Sequence, residues 1–357
     1  MSKFGILAWP AYSTKSSNPY NFLIYSEIEK MGHKVYDFDF NLKSIITFSF
    51  SKKYMIFHIH WPSNILTWST ALQAKRRLGM FYLFLKIIKI SGKKVVWTVH
   101  NLQSHESEHP QLQQRLYKML YRHVDGFISL NRNGLETIRA SSSNKKQQKF
   151  CYIPHPHYKG YYQNDFTRAE ARAKLGITEE KKVFLFLGQI RRYKNVTGLI
   201  AAFKTLDLPD KLLMIAGKVH DEMQEEMARE NENNENIIIH DVFIDDAELQ
   251  TYFNSADLVV NPYTNIFNSG SVFLNMSFNK PTLAPAIGAF PEIQKEIGDK
   301  YIKLYEDQMI SSSALYKSMQ EALEEKESLS DTDLSVFSSD QVAAETLEFY
   351  NRLLSST

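Results

Sequence analysis

Short apolar runs alternate with helical segments along nearly the whole chain, and this alternation limits the fold more than any other feature. The runs are apolar along their length, which is typical of parallel strands that helices cover on both faces. The first series is "KFGILAW", "KVYDFDF", "YMIFHIHW", "KKVVWTVHN", "DGFISL" and "KFCYIPH". The second is "KVFLFLGQ", "KLLMIAGK", "NIIIHDVF", "DLVVNPY", "PTLAPA" and "YIKLY". Two such series predict an α/β protein with two doubly wound, Rossmann-like domains.

The domain boundary is expected near residue 160. The chain has 357 residues, which is more than one hydrophobic core usually organises. The stretch "HPHYKGYYQNDF" interrupts the periodicity and predicts a linker. We therefore expect one domain over residues 1–160 and a second over residues 161–338. The last helix, within residues 339–357, is a candidate to pack back on the first domain.

The net charge of +2 conceals a strong asymmetry between the two halves. Residues 1–160 hold 23 Lys and Arg against 8 Asp and Glu, whereas the remainder holds 19 basic and 32 acidic residues. A basic half favours an anionic partner, such as a membrane surface or a phosphorylated substrate, although solvated lysines are the alternative. No nucleic-acid-binding motif accompanies the charge, so we predict no nucleic-acid partner.

Cysteine usage and the N-terminus indicate a cytoplasmic protein. Cys151 is the single cysteine, which excludes an intrachain disulfide and a cysteine-based zinc site and fits a reducing compartment. The first residues, "MSKFGILAWPAY", carry one lysine and a short apolar run that ends at Pro10. We interpret them as a first strand and not as a signal peptide.

The segment 63–94 combines many basic residues with large apolar ones, and we predict a long helix from about Ser63 to Ile90. It is too charged to span a bilayer. A basic amphipathic helix of this kind binds anionic membrane surfaces, which would place the protein on the inner face of the cytoplasmic membrane. The alternative is a buried helix with a basic outer edge.

Two loops of the second domain are candidates for binding phosphate, because ligands of parallel sheets bind beyond the carboxyl ends of the strands. In "LFLGQIRRYKN", Gly188 ends a strand, and Arg191, Arg192 and Lys194 precede a helix. Glycine admits a close ligand, and bases beside a helix N-terminus favour a diphosphate. An exposed basic turn is the alternative.

The second loop begins the helix of "FNSGSVFLNMSFNKP". Asn268 or Ser269 is the predicted cap, and Gly270 and Ser271 leave the first backbone N–H groups accessible to phosphate oxygens. Ordinary helix capping is the alternative. The next strand is followed by "AIGAFPEI", in which Glu292 lies in the first turn of another helix.

The basic domain offers candidate proton acceptors in "TVHNLQSHESEHP", which follows a strand. His100 ends the strand, and Glu106 follows in the loop. The segments "HIHWPS" and "IPHPHY" each contain two histidines two positions apart. Because alternate residues of a strand share a face, each pair could supply two ligands to a metal ion. These two His-x-His pairs make a zinc hydrolase the competing prediction.

In register, "FLGQIRRYKN", "LLMIAGK", "ADLVVNPY", "NKPTLAP" and "GAFPEI" resemble the donor domain of the group-1, family-4-like glycosyltransferases. The resemblance covers nearly the whole chain and implies the GT-B fold, with two doubly wound domains facing a cleft. The combination of "HIHWP" and "TVHNLQSHE" resembles bacterial exopolysaccharide and capsule transferases, including the β-mannosyltransferase-like group.

The resemblance implies that Lys194 holds the diphosphate of the donor, that Gly188 lies beside it, and that His100 lies near the transferred sugar. Gln189 stands where the family has arginine, so Arg191 or Arg192 would substitute for it. The two glutamates that retaining family-4 enzymes carry correspond here to Ile266 and Leu274. Their absence favours an inverting reaction.

The sequence therefore predicts metal-independent transfer of a sugar from a UDP- or GDP-linked donor to a hydroxyl group, with no further cofactor. The acceptor would be a lipid-linked or free saccharide of bacterial surface polysaccharide synthesis. Lys194, Arg192 and the N–H groups at Ser269 to Ser271 would stabilise the leaving diphosphate. Glu106 is the predicted base, with His100 as its substitute. A nucleotide-sugar-binding protein without turnover is a further alternative.

Overall fold

The computed structural model describes residues 3–67, 69–102, 108–142, 145–231, 235–307, 309–325, 329 and 333–355. The chain divides into two compact units. Unit 1 consists of Met1–Pro156 together with Ser335–Thr357, and unit 2 consists of His157–Leu334. Each unit has its own parallel sheet and its own hydrophobic core.

The sheet of unit 1 has six parallel strands in the order β2-β1-β3-β4-β5-β6. Its strands are β1 (Gly5–Trp9), β2 (Lys34–Asp37), β3 (Tyr54–Ile59), β4 (Lys94–Val99), β5 (Gly126–Ser129) and β6 (Lys149–Tyr152). The connecting helices are α1 (Tyr20–Lys30), α2 (Leu42–Phe50), α3 (Ala71–Ile90), α4 (Pro110–His123) and α5 (Arg132–Ser141). Strands β3, β4 and β5 are almost entirely buried, as expected for a sheet covered on both faces.

The sheet of unit 2 has six parallel strands in the order β12-β11-β10-β7-β8-β9. Its strands are β7 (Lys182–Leu187), β8 (Lys211–Ala216), β9 (Ile237–His240), β10 (Leu258–Val260), β11 (Thr282–Pro285) and β12 (Ile302–Tyr305). Its helices are α6 (Arg168–Leu175), α7 (Val196–Lys204), α8 (Gln224–Asn231), α9 (Leu249–Ser255), α10 (Gly270–Ser277), α11 (Phe290–Ile297) and α12 (Ser312–Glu324). This strand order reverses between β7 and β10, and such a switch point is where doubly wound sheets bind ligands.

The C-terminal helix α13 (Ser339–Leu354) belongs to unit 1. Its apolar face enters the core formed by β1 and α1. The helix packs closely on Gly126 of β5, where an added Cβ atom would come within 2.8 Å of Phe349 and 2.7 Å of Leu353. A glycine at this position therefore lets α13 lie directly on the sheet.

A buried ion pair anchors α6 to the sheet of unit 2. Arg172 is fully buried and donates to Asp257 Oδ2 at 2.9 Å. The same guanidinium donates to the carbonyl oxygens of Ser255, Thr178, Glu179 and Lys181, so each of its nitrogens has an acceptor. Asp257 also accepts from the backbone N–H of Val183 at 2.9 Å.

One predicted helix differs from the structure. The single helix predicted from Ser63 to Ile90 is wrong, because residues Pro62–Ile65 form a separate 3-10 turn and α3 begins after Thr70. Thr70 and Gln73 form a capping box there, which starts a new helix. Among the described helices, none has the length and apolar character needed to cross a membrane.

Candidate functional site

The loop that follows β7 brings a lysine over a glycine at the switch point of unit 2. Gly188 has φ 131°, and a Cβ atom at this position would lie 3.2 Å from Lys194 Nζ. Residues Arg192–Lys194 form a 3-10 turn, and Asn195 in the left-handed conformation connects it to α7. The turn thus directs the lysine back over the glycine that ends the strand.

The surroundings of the Lys194 amine suit the binding of an anion. Its Nζ lies 5.9 Å from the ring centroids of both Phe186 and Tyr263. Within the described part of the chain, no carboxylate forms an ion pair with it. Burial, with a smaller contribution from the charge of Arg191, lowers the pKa of Lys194 to about 8. An anion bound beside this amine would offset the cost of burying its charge.

The N-terminus of α10 is the second part of this site. Ser269 is the N-cap residue, but its side chain does not accept from a backbone N–H of the helix, so the predicted capping hydrogen bond is wrong. Instead, Ser269 Oγ lies 2.6 Å from Ser271 Oγ. Ser271 Oγ also lies 3.0 Å from the hydroxyl of Tyr263 and accepts from Asn261 Nδ2 at 3.3 Å. The hydroxyl cluster leaves the first N–H groups of α10 without a side-chain cap.

Tyr263 joins the two loops. Its ring lies near Lys194, its hydroxyl contacts Ser271, and the residue is only 3% exposed. The next residue, Thr264, donates its backbone N–H to the carbonyl oxygen of Tyr193 at 3.0 Å. The sequence interpretation missed Tyr263, although its position directly after strand β10 was a usable signal.

The remaining candidates of unit 2 lie around this centre. Arg192 is exposed, and Arg191 donates from Nε to Gln189 Oε1 at 2.9 Å. Asn268 is half-buried and directly precedes the N-cap of α10. Glu292 is half-buried in the first turn of α11, and the ring of Phe290 at the start of that helix lies 6.2 Å from Tyr263. The centre itself is formed by Gly188, Lys194, Ser269, Gly270 and Ser271 with Tyr263.

Ile266 and Leu274 are both engaged in packing. A Cβ atom on Gly288, which has φ 59°, would lie 2.4 Å from the carbonyl oxygen of Ile266 and 3.0 Å from its side chain. Leu274 packs against the core cluster of unit 2. Neither position supplies a carboxylate to the site, and Leu274 contributes to the core of the unit.

His100 of unit 1 lies in a cluster of histidine and aromatic rings at the carboxyl end of the sheet. Trp61 stacks on it with ring centroids 4.4 Å apart, and the edge of Tyr20 approaches at 4.9 Å. His155 packs on the same tyrosine at 4.7 Å. Glu106, the predicted base, lies outside the described residues. Tyr20 and Trp61 were missed by the sequence interpretation because they lie far from His100 along the chain.

The histidines of this cluster hydrogen-bond to one another, to hydroxyl groups or, in the case of His155, to the carbonyl oxygen of Pro156, and burial favours their neutral forms. Burial lowers the pKa of His58 to about 3 and that of His155 to about 4. Burial, with the neighbouring histidines, also lowers the pKa values of His60 and His100 well below the usual range. In the described ranges, no group of three or more His, Cys, Asp or Glu side chains could hold a metal ion. The two His-x-His pairs therefore give the zinc-hydrolase alternative no support.

Residues 167–333, which make up most of unit 2, match the family model described as "Glycosyl transferases group 1". The chain is also similar to a GDP-mannose:glycolipid 4-beta-D-mannosyltransferase of Xanthomonas campestris pv. campestris. The two are 26% identical over 256 residues, which is 71% of this chain and 68% of the relative.

Solved structures share the architecture over the whole chain. A glycosyltransferase from Rickettsia africae superposes with a TM-score of 0.68 and 15% identity, covering 100% of both chains. The Anabaena protein HepE, in complex with UDP and glucose, superposes with a TM-score of 0.63 and 13% identity, covering 99% of each chain. At these identities the likeness is one of fold, and it confirms the expected pair of doubly wound sheets.

Proposed function

We propose that this protein transfers a hexose from a nucleoside-diphosphate sugar to a lipid-linked saccharide. It is a glycosyltransferase with the GT-B fold, and its unit 2 belongs to group 1. Unit 2 would bind the donor, and unit 1 would bind the acceptor. GDP-mannose is the first donor to test, because the relative of 26% identity is named for that donor and for a glycolipid acceptor.

One observation carries the proposal: an uncompensated lysine and an uncapped helix N-terminus meet at the switch point of unit 2. Lys194 lies over Gly188, and Tyr263 connects it to the first turn of α10. When the bond between the sugar and the diphosphate breaks, negative charge grows on the departing oxygen. The ammonium group and the N–H groups at Gly270 and Ser271 would stabilise that charge without reorganising, which is the most effective form of electrostatic catalysis.

The acceptor hydroxyl must lose a proton during the transfer. Glu106 remains our proposed base, and His100 would contact the substrate nearby. We propose that the reaction inverts the anomeric centre, since Ile266 and Leu274 provide no carboxylate on the donor side. In an inverting reaction the acceptor attacks the anomeric carbon directly, so a single base in unit 1 is sufficient.

A transfer assay tests this function. Purified protein is incubated with GDP-mannose, UDP-glucose or UDP-N-acetylglucosamine and a bacterial lipid extract, and the radiolabelled sugar is followed into the lipid phase. We expect one donor to be used, and Lys194→Ala to lower kcat/KM by about tenfold or more, in keeping with the loss of a charge-assisted contact. Binding of a donor without transfer to any lipid would favour the non-catalytic alternative. An unchanged kcat/KM for Lys194→Ala would contradict the diphosphate assignment.

We further propose that the exposed side of α3 binds an anionic membrane. Leu72, Leu83 and Ile90 are 58%, 60% and 87% exposed, and their spacings of about three and two helical turns place them on one line. Phe81, Phe84 and Ile88 are buried on the other side of the helix. The exposed line is accompanied by Lys75, Arg76 and Lys86, which are also exposed. Apolar insertion combined with basic residues is typical of interfacial helices.

Vesicle flotation tests this surface. We expect binding to vesicles that contain phosphatidylglycerol and weak binding to pure phosphatidylcholine, because each Lys or Arg near an anionic surface contributes about 1 kcal/mol. Replacing Leu83 and Ile90 by serine should release the protein from vesicles and leave donor binding unchanged. Replacing Tyr316, which is 46% exposed on α12 of unit 2, is the matched control. Equal binding of all variants to both vesicle types would contradict the proposal.

A further inference from the structure

The loop between β1 and α1 (residues 10–19, the β1–α1 loop) lies at the switch point of unit 1. The chain passes from β1 to β2 on one side of β1 and then to β3 on its other side, so the strand order reverses between β1 and β3. Doubly wound sheets bind ligands at such a point, beyond the carboxyl ends of the strands. The carbonyl oxygen of Trp9 accepts from the backbone N–H of His60 at 3.0 Å, so the loop leaves the sheet beside the histidine cluster.

A single carboxylate holds the first part of the β1–α1 loop. Asp37 is the last residue of β2, which pairs with β1. Its Oδ1 accepts from the backbone N–H of Ala11 at 2.6 Å, and its Oδ2 accepts from those of Tyr12 and Ser13 at 2.8 and 3.0 Å. The hydroxyl of Ser13 also donates to Oδ1 at 3.4 Å. Three consecutive N–H groups that converge on one anion form charge-assisted hydrogen bonds, which are stronger than bonds to a neutral acceptor.

The second part of the loop is attached to α1. Asn18 Oδ1 accepts from the backbone N–H of Tyr20 at 3.1 Å. Asn21 Nδ2 donates to the carbonyl oxygen of Pro10 at 2.7 Å, which ties the beginning of the loop to the same helix. The ring of Tyr20 in turn lies 4.9 Å from that of His100. The loop is therefore held at both of its ends, and it ends against the histidine cluster.

The side chains that the β1–α1 loop exposes suit a saccharide. Ser13, Lys15, Ser16 and Ser17 are exposed. The Nζ atom of Lys15 lies 3.9 Å from the ring centroid of Phe22 on α1. Hydroxyl groups both donate and accept hydrogen bonds, as sugar hydroxyls do, and an ammonium group binds phosphate oxygens. A lipid-linked saccharide offers both kinds of group.

We propose that Asp37 is a positioning residue that fixes the β1–α1 loop as the acceptor-binding surface of unit 1. This role rests on the proposed glycosyl transfer. Asp37 holds the backbone of the loop, and the exposed hydroxyl and ammonium groups of the loop contact the acceptor. A loop that is ordered before binding lowers the entropic cost of binding, so the carboxylate acts on the affinity for the acceptor and leaves proton removal to another group.

The acceptor kinetics of Asp37→Asn test this role. The variant keeps the shape of the side chain but replaces one oxygen by an NH₂ group, which cannot accept from a backbone N–H. In detergent solution we expect KM for the acceptor lipid extract to rise about tenfold or more, with kcat at saturating acceptor within about threefold and Kd for GDP within about twofold of the wild type. A general loss of folded protein would instead lower kcat and leave KM unchanged. An unchanged acceptor KM would overturn the proposal.

Asp125→Asn is the matched control. Asp125 Oδ2 accepts from the backbone N–H of Val95 at 2.9 Å, and its Oδ1 accepts from Lys89 Nζ at 2.9 Å. It directly precedes β5 and so lies at the amino end of the sheet, opposite to the β1–α1 loop. We expect this variant to lose hydrogen bonds of the same kind and to keep the wild-type KM for the acceptor. An equal rise of KM in the two variants would contradict a role specific to Asp37.

Hydrogen exchange followed by mass spectrometry tests the surface in the wild-type protein. We expect the intact lipid extract to slow exchange in peptides that span the β1–α1 loop. The same extract after mild acid hydrolysis, which cleaves the saccharide from its diphosphate, should have a weaker effect. No change in this loop with the intact extract would overturn the proposal. A protected loop in a protein that transfers no sugar would instead refute the proposed transfer and leave the loop as the saccharide-binding surface.

Discussion

If Lys194 binds the diphosphate as we propose, its lowered pKa should make the affinity for nucleoside diphosphates dependent on pH. Partial burial of this side chain, with a smaller effect of the Arg191 charge, lowers the pKa of the amine to about 8. A bound diphosphate favours the charged form and raises this pKa. Affinity is therefore greatest while Lys194 is already protonated, and it falls as the pH rises through about 8.

The magnitude follows from the titration of a single group. With a pKa of about 8, roughly nine tenths of the amine is charged at pH 7 and roughly one tenth at pH 9. If the bound state keeps the amine charged, Kd should increase about tenfold between these two pH values, which corresponds to about 1.4 kcal/mol. Truncation to alanine removes the contact at every pH and should cost about 1.5–3 kcal/mol.

Isothermal titration calorimetry with GDP and UDP at pH 7, 8 and 9 provides the measurement. Lys194→Arg is the matched control, because a guanidinium stays charged across this range. The ligands' own ionisations affect both proteins equally, so the difference between the two profiles isolates the lysine. Parallel profiles for the wild-type and Arg variants would refute the assignment of Lys194 to the diphosphate.

Two further predictions concern stability. Asp257→Ala leaves Arg172 buried without its carboxylate and should lower the free energy of unfolding by about 3–5 kcal/mol in urea titrations, whereas a loss below 1 kcal/mol would show that the pair is dispensable. Gly217→Ala places a Cβ atom 2.2 Å from the carbonyl oxygen of Gly188 and should both destabilise unit 2 and weaken GDP binding. Gly176→Ala, at φ 67° with open space around it, is the control, and equal losses in the two variants would exclude a steric effect on the loop.

The strands were predictable from the sequence because a buried parallel strand leaves an uninterrupted apolar run. The sequence analysis missed helix α2, because its apolar residues also form a short run that is typical of a strand. Its residues Ile45, Ile46 and Phe48 are β-branched or aromatic and resemble a strand when read locally. The helix begins at Asn41, whose side chain accepts from the backbone N–H of Ser44 at 2.9 Å. Asn41 is visible in the sequence as a possible N-cap, but asparagine is equally common in turns, so it did not by itself predict a helix.

The candidate site was predictable only where one segment of chain forms it. Gly188 and Lys194 belong to a single loop, and Ser269, Gly270 and Ser271 begin a single helix, so position after a strand was enough to identify them. The contact between these two loops through Tyr263 depends on the order of strands in the sheet. Likewise, His60 and His100 meet because β3 and β4 are neighbours, and a separation of 40 positions along the chain conceals that pairing.

The charge distribution gives a further reason to assign an external anion to unit 2. Residues 161–357 contain 32 acidic against 19 basic residues, so carboxylates outnumber cations in this half. Lys204, Lys218 and Lys303 do form ion pairs, at 2.5 to 3.2 Å. Lys194 has no such pair among the described residues, although burial without a counter-charge costs free energy. A half-buried cation with no ion pair among the described residues lies here at the switch point, beside a helix N-terminus without a side-chain cap. This arrangement supports our proposal that an anionic ligand completes the ion pair.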